Sequence, residues 1–357
     1  MDRGTSDTLP AKPLPRSTEV YRETLANLPD MLQSTLAYPL DPIILDRFLS
    51  AKRIIFTGCG SSWPVAFTAA ELFSQNGYPA CAEYTSQILQ KRVFTASDVF
   101  VLVSQGWNRS DACRVTNKIL SSSASLVVVT GRSEHSEEHL YSVREREAEQ
   151  RLFLMQIEPK IEKLFCRPVS PITSFAHLGR VLEGLTDDRN IVSSMCDTIG
   201  RMSRNYVPIP YLKKIPDKLV FLGSGGLYGA AQGLALMMRE GAGIDSEAHE
   251  CEAYGHGFYV PHQYQCQKVP GSIKFVILSN SENAEGPARI LPLLRDTKSD
   301  YQEWTSSENT FVAFVQHVIT GSKLVLNLNE RTCFDMNTPP GLEENRTFHE
   351  EGGLSLR

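Results

Sequence analysis

The chain has 357 residues, a hydrophobic share of 41% and a formal net charge of -5. This length suits two domains, and the mild charge without a basic stripe argues against nucleic acid as a partner. No apolar run reaches the roughly 18 residues that a membrane span needs, so we also expect no membrane partner.

The first residues, 1–18, contain no apolar core of the kind found in secretory signals, and we expect a disordered lead-in there. Eight cysteines are scattered along the chain, and none forms a C-x-x-C pair. Without a signal peptide, the simplest interpretation is reduced thiols in the cytoplasm.

The first half of the chain predicts strands that alternate with helices. An amphipathic stretch, Glu19–Leu36, predicts a helix, and the strand Arg53–Thr57 ends in the glycine-rich turn Gly58–Ser62. Further helices are predicted at Ile43–Leu49, Pro64–Gln75, Ser133–Gln150, Thr173–Leu185 and Asn190–Asn205, and further strands at Ala80–Tyr84, Asp98–Ser104 and Ser125–Thr130. This alternation predicts a parallel sheet with helices on both faces.

The pattern then starts again, which indicates an internal repeat. The strand Lys218–Leu222 ends in Gly223-Ser-Gly-Gly226 and opens into a helix over Leu227–Arg239. Later elements are predicted as a strand at Lys274–Ser279, helices at Gly286–Arg295 and Asn309–Ile319, a last strand at Lys323–Leu328, and an irregular tail from Arg331. The sequence therefore predicts an α/β chain of two tandem domains, each with its own parallel sheet.

The glycine-rich turns suit an anion, because glycine permits a tight turn and the following helix offers free N–H groups. The alternative is a purely structural turn. A dinucleotide site would need G-x-G-x-x-G, but Trp63 stands at the third glycine position of the first turn, and Gly229 comes one place late in the second. Serines at strand ends, such as Ser61 and Ser62, can instead hold a phosphate with neutral donors.

At this point the pattern resembles the sugar isomerase (SIS) domain family. The motifs that carry the resemblance are Gly58–Ser62, Val103-Ser-Gln105, the second G-x-G turn, and the opening Ser17–Leu25. The chain is most similar in organisation to the isomerase half of glucosamine-6-phosphate synthase and to the fructosamine-6-phosphate deglycases, without a glutaminase domain. The resemblance implies tandem flavodoxin-like domains over 19–205 and 206–330, with 331–357 as a tail that contributes to the active site.

The resemblance implies that the first domain holds the substrate's phosphate. The family motif carries over onto Ser61, Ser62, Ser104 and Gln105. The family's S-G-E-T is replaced by Gly106-Trp-Asn-Arg109, so Arg109 is a candidate to hold the anion by charge, the alternative being a surface arginine. Ser170 is a further candidate contact in a loop that resembles the family's V-A-S-T-K, without its lysine.

The resemblance also implies a catalytic pair. In the family, a glutamate at the end of the second domain's first helix moves the proton between C1 and C2, and a histidine sixteen residues later assists ring opening across a homodimer interface. Here Glu240 and His256 have that spacing. The alternatives are a solvated acid at a helix end and a loop histidine.

Two departures bear on the reaction. The family's C-terminal lysine position holds Glu344, with Arg346 nearby, and Phe258 replaces the proline after His-Gly. The acids and histidines around this loop, namely Glu247, Glu250, Glu252, His249 and His262, match no zinc spacing. Solvated loop acids are therefore favoured over a metal site, and no cofactor is predicted.

Two functions remain open from the sequence. The first is an isomerase, deglycase or deaminase that acts on a sugar derivative, with an amino-sugar or ketosamine phosphate as the expected ligand and Glu240 and His256 as the acid–base pair. The second is a regulatory protein that binds a sugar phosphate without turning it over.

Overall fold

The computed structural model describes residues 14–91, 93–107, 110–131, 150–160, 162, 164, 166–186, 188–204, 212 and 214–337. The strands in these ranges are β1 Arg53–Gly58, β2 Ala80–Ala82, β3 Asp98–Val103, β4 Ser125–Thr130, β5 Leu152–Gln156, β6 Lys218–Gly223, β7 Asp245–Glu250, β8 Ile273–Asn280 and β9 Asp300–Ser306.

The labelled helices are α1 Arg16–Ala26, α2 Leu28–Ala37, α3 Pro42–Ser50, α4 Ser62–Gln75, α5 Thr85–Gln90, α6 Ser110–Leu120, α7 Ser170–Leu185, α8 Ile191–Arg204, α9 Gly226–Ala242, α10 Tyr259–Lys268, α11 Glu285–Asp296 and α12 Thr310–Thr332. A helical turn, Cys251–Ala253, and a π-helical turn, Tyr254–Phe258, join β7 to α10.

The strands form two parallel sheets, ordered β2-β1-β3-β4-β5 and β7-β6-β8-β9. Central strands such as β3 and β4 are buried along their whole length, as expected where helices cover both faces of a parallel sheet. The predicted α/β fold with two parallel sheets is confirmed.

Helices α4 and α9 pack against each other and join the two sheets. A Cβ on Gly233 would lie 3.4 Å from Pro64 near the start of α4, whereas one on Gly225, just before α9, would lie 3.9 Å from Gln75 at the end of α4. The two helices therefore run antiparallel, and the beginning of α4 lies beside the middle of α9. Thr68 Oγ1 donates to the Gly226 carbonyl across this contact at 2.9 Å.

Several predicted elements differ from the structure. The predicted strand Lys323–Leu328 is wrong, since these residues continue α12, with Leu324, Val325 and Leu328 buried at helical spacing. The amphipathic stretch Glu19–Leu36 is two helices that break at Asn27, because Pro29 occupies the first turn of α2. Strands β5, β7 and β9 were not predicted, and the helix predicted at Ser133–Gln150 lies outside the described residues except for Gln150.

The two ends of the described chain meet in the core. Ser17 Oγ donates to Asp335 Oδ1 at 2.8 Å, and Thr18 Oγ1 hydrogen-bonds Asn329 Oδ1. Both serine and threonine are buried and lie in α1, before the expected domain start at residue 19. Helix α12 has the length and composition of a membrane span, but 72% of its apolar window is buried inside the fold, which is the pattern of a core helix.

Candidate active site

The first glycine-rich turn lies open at the carboxyl end of β1. Gly60 has φ of 56°, and a Cβ there would meet no heavy atom of the described residues within 4 Å. Ser61 caps α4 without a side-chain hydrogen bond to the helix, and Ser62 is the first helical residue. Both are half-buried. The Ser62 and Trp63 N–H groups donate to the Cys59 and Gly60 carbonyls at 3.1 Å, so the two serine hydroxyls remain the candidate donors to an anion at this turn.

Ser104 and Gln105 lie next to this turn, because Gly58 pairs with Val103 in the sheet. Ser104 Oγ accepts a hydrogen bond from the Trp107 N–H at 3.2 Å. Gln105 is 5% exposed, and its Nε2 donates to the Pro159 carbonyl at 3.2 Å. The glutamine amide therefore holds the loop after β5 in this structure. Arg109 lies outside the described residues.

The second glycine-rich turn is filled by protein. Gly225 has φ of 54°, but a Cβ there would lie 2.6 Å from Asn283 Oδ1. Asn283 Nδ2 is itself held by Thr310 Oγ1 at 2.6 Å and Asn280 Oδ1 at 2.9 Å. The two turns look alike in sequence, and of the two the first is the one that leaves room for a ligand.

Glu240 projects past the start of α4. It follows Gly233 by seven residues, nearly two helical turns, so both lie on the same face of α9, and Gly233 contacts Pro64. The carboxyl is half-buried. Burial raises the pKa of Glu240 to about 7, although the nearby guanidinium groups of Arg167 and Arg239 favour the ionised form.

Arg167 is a site residue that the sequence reasoning missed. It is half-buried and lies close enough to Glu240 to lower the pKa of that carboxyl. The family's lysine follows the position of Ser170, whereas this arginine stands three residues before Ser170. The available signal was a basic residue directly before Pro168 in the same loop.

Ser170 is the first residue of α7 and is 4% exposed. Its N–H and that of Val169 each donate to the Glu162 carboxylate at 3.0 Å, and its side chain also hydrogen-bonds Glu162. Burial raises the pKa of Glu162, and the hydrogen bonds donated to its carboxylate offset part of this rise. In this structure Ser170 is held by Glu162, which caps α7 near Glu240.

His256 lies elsewhere. It stands in the π-helical turn Tyr254–Phe258, its side chain is 81% exposed, and Nε2 is 3.8 Å from the exposed Glu252 carboxylate. Three large apolar side chains beside it are also exposed, namely Phe258 at 54%, Val260 at 54% and Tyr264 at 60%. The structure thus places Glu240 beside Arg167, beyond the start of α4, and leaves His256 exposed on the surface of the second domain.

Glu344 and Arg346, which replace the family's lysine stretch, lie outside the described residues. A cavity of about 530 Å³ opens beside the end of α9, between Ala242–Asp245 and Thr332–Asp335. It is lined by none of the predicted site residues.

Comparison with known proteins identifies the fold. No protein-family model matches the sequence, and no curated protein is similar to it in sequence. Solved structures do match. A Silicibacter pomeroyi protein, provisionally described as a phosphosugar isomerase, superposes with a TM-score of 0.72 at 16% identity, over 89% of this chain and 99% of its own.

Two others have more specific descriptions. The C-terminal domain of glucosamine-fructose-6-phosphate aminotransferase from Francisella tularensis matches with a TM-score of 0.66 at 18% identity, over 90% of this chain and 98% of its own. Tagatose-6-phosphate ketose/aldose isomerase from Escherichia coli matches with 0.65 at 16% identity, over 90% and 95%. The chain has the fold of these phosphosugar proteins. The resemblance predicted from the motifs is confirmed for the fold, and the chemistry depends on the residues of the site.

Proposed function

We propose that the protein is a sugar-phosphate isomerase or deglycase that acts on an amino sugar or ketosamine, with Glu240 as the general base. The position of Glu240 carries the proposal. Its carboxyl has a pKa of about 7. It lies on the face of α9 that packs against the start of α4, the helix that follows the turn at Ser61 and Ser62. A carboxyl with this pKa can accept and return a proton near neutral pH.

In this proposal the first domain binds the phosphate of the substrate, and the second domain supplies the base. The first domain offers the Ser61 and Ser62 hydroxyls at the positive end of the α4 dipole for the phosphate. Ser104, Gln105, Arg109 and Ser170 are further candidates. Glu240 lies about 10 Å further along α9 than Gly233, which contacts Pro64 near the start of α4. This distance leaves room for the carbon chain of a sugar. Glu240 would move a proton between C1 and C2 through an enediol or enolamine. The proton leaves C2 in an aldose amino sugar and leaves C1 in a ketosamine, whose carbonyl carbon C2 carries no hydrogen.

A second copy of the chain would supply His256. Within one chain it is exposed to solvent, and the exposed apolar side chains of Phe258, Val260 and Tyr264 follow it in the chain. Contiguous apolar patches of this kind mark interaction surfaces. We therefore propose a cytoplasmic homodimer in which this surface brings His256 of one protomer to Glu240 of the other.

The alternative is a regulatory protein that binds a sugar phosphate without turnover. The observation that favours it is the engagement of Gln105 and Ser170 by protein groups. The change Glu240→Gln separates the two functions. If the protein is an enzyme, turnover of a fructosamine phosphate or an amino-sugar phosphate should fall roughly 10²–10⁴-fold, while ligand binding persists.

Thermal shift measures that binding, because a ligand of the folded state raises its stability. The matched control is Glu285→Gln, an exposed carboxylate on α11, which should leave turnover intact. Unchanged turnover in Glu240→Gln would rule out Glu240 as the base.

The change Arg109→Ala tests whether Arg109 binds the phosphate of the substrate. Its effect on turnover is compared for phosphorylated and unphosphorylated sugars. An equal loss of turnover on both would argue against binding of the phosphate.

A further inference from the structure

Three potential metal ligands meet on the outer face of the second sheet. Glu247 and His249 stand two residues apart on β7, so both side chains point to the same face. Ala248, between them, packs against the main core on the other face. Helix α10 covers the outer face and brings His262 to the pair. In sequence these residues match no zinc spacing, which favoured solvated loop acids; the packing of α10 brings the three together across thirteen residues of chain between His249 and His262.

The ligand atoms of the three residues all lie within 4.8 Å of one another. Glu247 Oε1 is 3.3 Å from His249 Nε2, and it also contacts His262 Nε2. Ligands on a tetrahedral zinc, with bonds of 2.0–2.2 Å, are about 3.3 Å apart. A zinc ion could therefore enter with small side-chain movements.

The buried nitrogen of His249 is poorly satisfied within the protein. His249 Nε2 lies 3.3 Å from Glu247 Oε1, but the contact does not have regular hydrogen-bond geometry. The ring is held between neighbours, 4.7 Å from the Phe258 ring and 5.7 Å from the Tyr254 ring. A buried nitrogen with a poor hydrogen bond is costly, and a metal ion would bind it.

The surrounding groups fit a metal site. Ligating histidines usually hydrogen-bond through their second nitrogen, and ligating carboxylates are held by an outer partner. His262 Nδ1 lies 3.4 Å from Tyr254 Oη, and Glu247 Oε2 lies 3.5 Å from Lys218 Nζ.

We propose that Glu247, His249 and His262 bind a zinc ion, with water as the fourth ligand. The side chains of these residues are 31%, 15% and 8% exposed, so a fourth position can be reached by solvent. The ion would tie the edge strand β7 to α10, the helix that follows the turn bearing His256. This site is separate from Glu240, and its existence does not depend on the proposed function.

The test is metal binding by the full chain. The protein is stripped with a chelator, mixed with Zn²⁺, passed through a desalting column and analysed for zinc by mass spectrometry. We expect close to one zinc per chain, and at least tenfold weaker binding for His249→Gln and His262→Gln. His256→Gln is the matched control, because it removes an exposed histidine that pairs with Glu252 but lies outside the site.

Folding of each variant is checked by circular dichroism, and Glu247→Gln, which keeps the shape of the side chain, replaces any variant that does not fold. Co²⁺ supplies a second measurement, since a tetrahedral site gives strong visible absorption that should vanish in Glu247→Gln. Zinc retained equally by the three site variants, or absent from the unaltered chain, would overturn the proposal.

Discussion

Glu240 and His256 lie at opposite ends of β7. Arg239, next to Glu240, donates to the Ser246 carbonyl near the start of this strand, whereas His256 follows the strand's last residue, Glu250. Five steps along a strand span about 17 Å. The side chains of Glu240 and His256 therefore do not meet within one chain. They can act in the same site only if two chains each contribute one of them.

This geometry predicts complementation between inactive variants. When Glu240→Gln and His256→Gln are mixed as unfolded chains and refolded together, half of the dimers should be mixed. Each mixed dimer carries one intact site, so activity should recover to about a quarter of the unaltered level. Activity of the refolded mixture is compared with each variant refolded alone. No recovery, with mixed dimers demonstrated by mass spectrometry, would contradict the shared site.

The pKa of Glu240 predicts the pH dependence of turnover. A base must be ionised to act, so kcat/KM should rise with pH through about 7. Arg167 favours the ionised form, and Arg167→Gln should move this rise to higher pH. Arg289→Gln, an exposed arginine on α11, should leave the profile in place. A profile that is flat from pH 5 to 9 would contradict the role of Glu240.

The raised pKa of Glu240 also predicts that Glu240→Gln changes the free energy of unfolding by an amount that depends on pH. A raised pKa means that the native state holds the proton more tightly than the unfolded state, so Glu240 destabilises the native state as pH rises from 4.5 through 7. From the rise to about 7, this cost reaches about 3 kcal/mol at pH 8 as an upper bound. Glu240→Gln should therefore be more stable than the unaltered protein at pH 8 and nearly equal to it at pH 4. Urea denaturation at both pH values measures the difference.

Two glycines on α9 offer a matched steric test of the helix pair. A Cβ on Gly229 would lie 2.1 Å from Thr68 Oγ1 and 2.9 Å from the Pro64 carbonyl, whereas one on Gly233 would lie 3.4 Å from Pro64. Gly229→Ala should thus cost about 1–3 kcal/mol through overpacking. Gly233→Ala should be neutral or stabilising by up to about 1 kcal/mol, because alanine favours the helix. Equal effects in thermal unfolding would argue against this packing.

The sequence determined the strands whose residues are buried on both faces. β1, β3, β4, β6 and β8 are runs of apolar residues that end in glycine or small polar residues, and local composition identifies them. β7 reads Asp-Ser-Glu-Ala-His-Glu and was not predicted, because an edge strand with a polar face carries little hydrophobic signal. Lys323–Leu328 reads as a strand in isolation, yet burial at helical spacing against α9 and α8 keeps it in α12.

The sequence also pointed to the serine turn and to Glu240 and His256 through motif and spacing. Tertiary packing decided which of the two glycine turns is open, because Asn283 fills the second from a distant loop. It also decided that Arg167 lies by Glu240, that His262 joins Glu247 and His249, and that His256 is far from Glu240 within a chain. Each of these relations depends on how separate elements pack, and sequence spacing carries no record of contacts between distant segments.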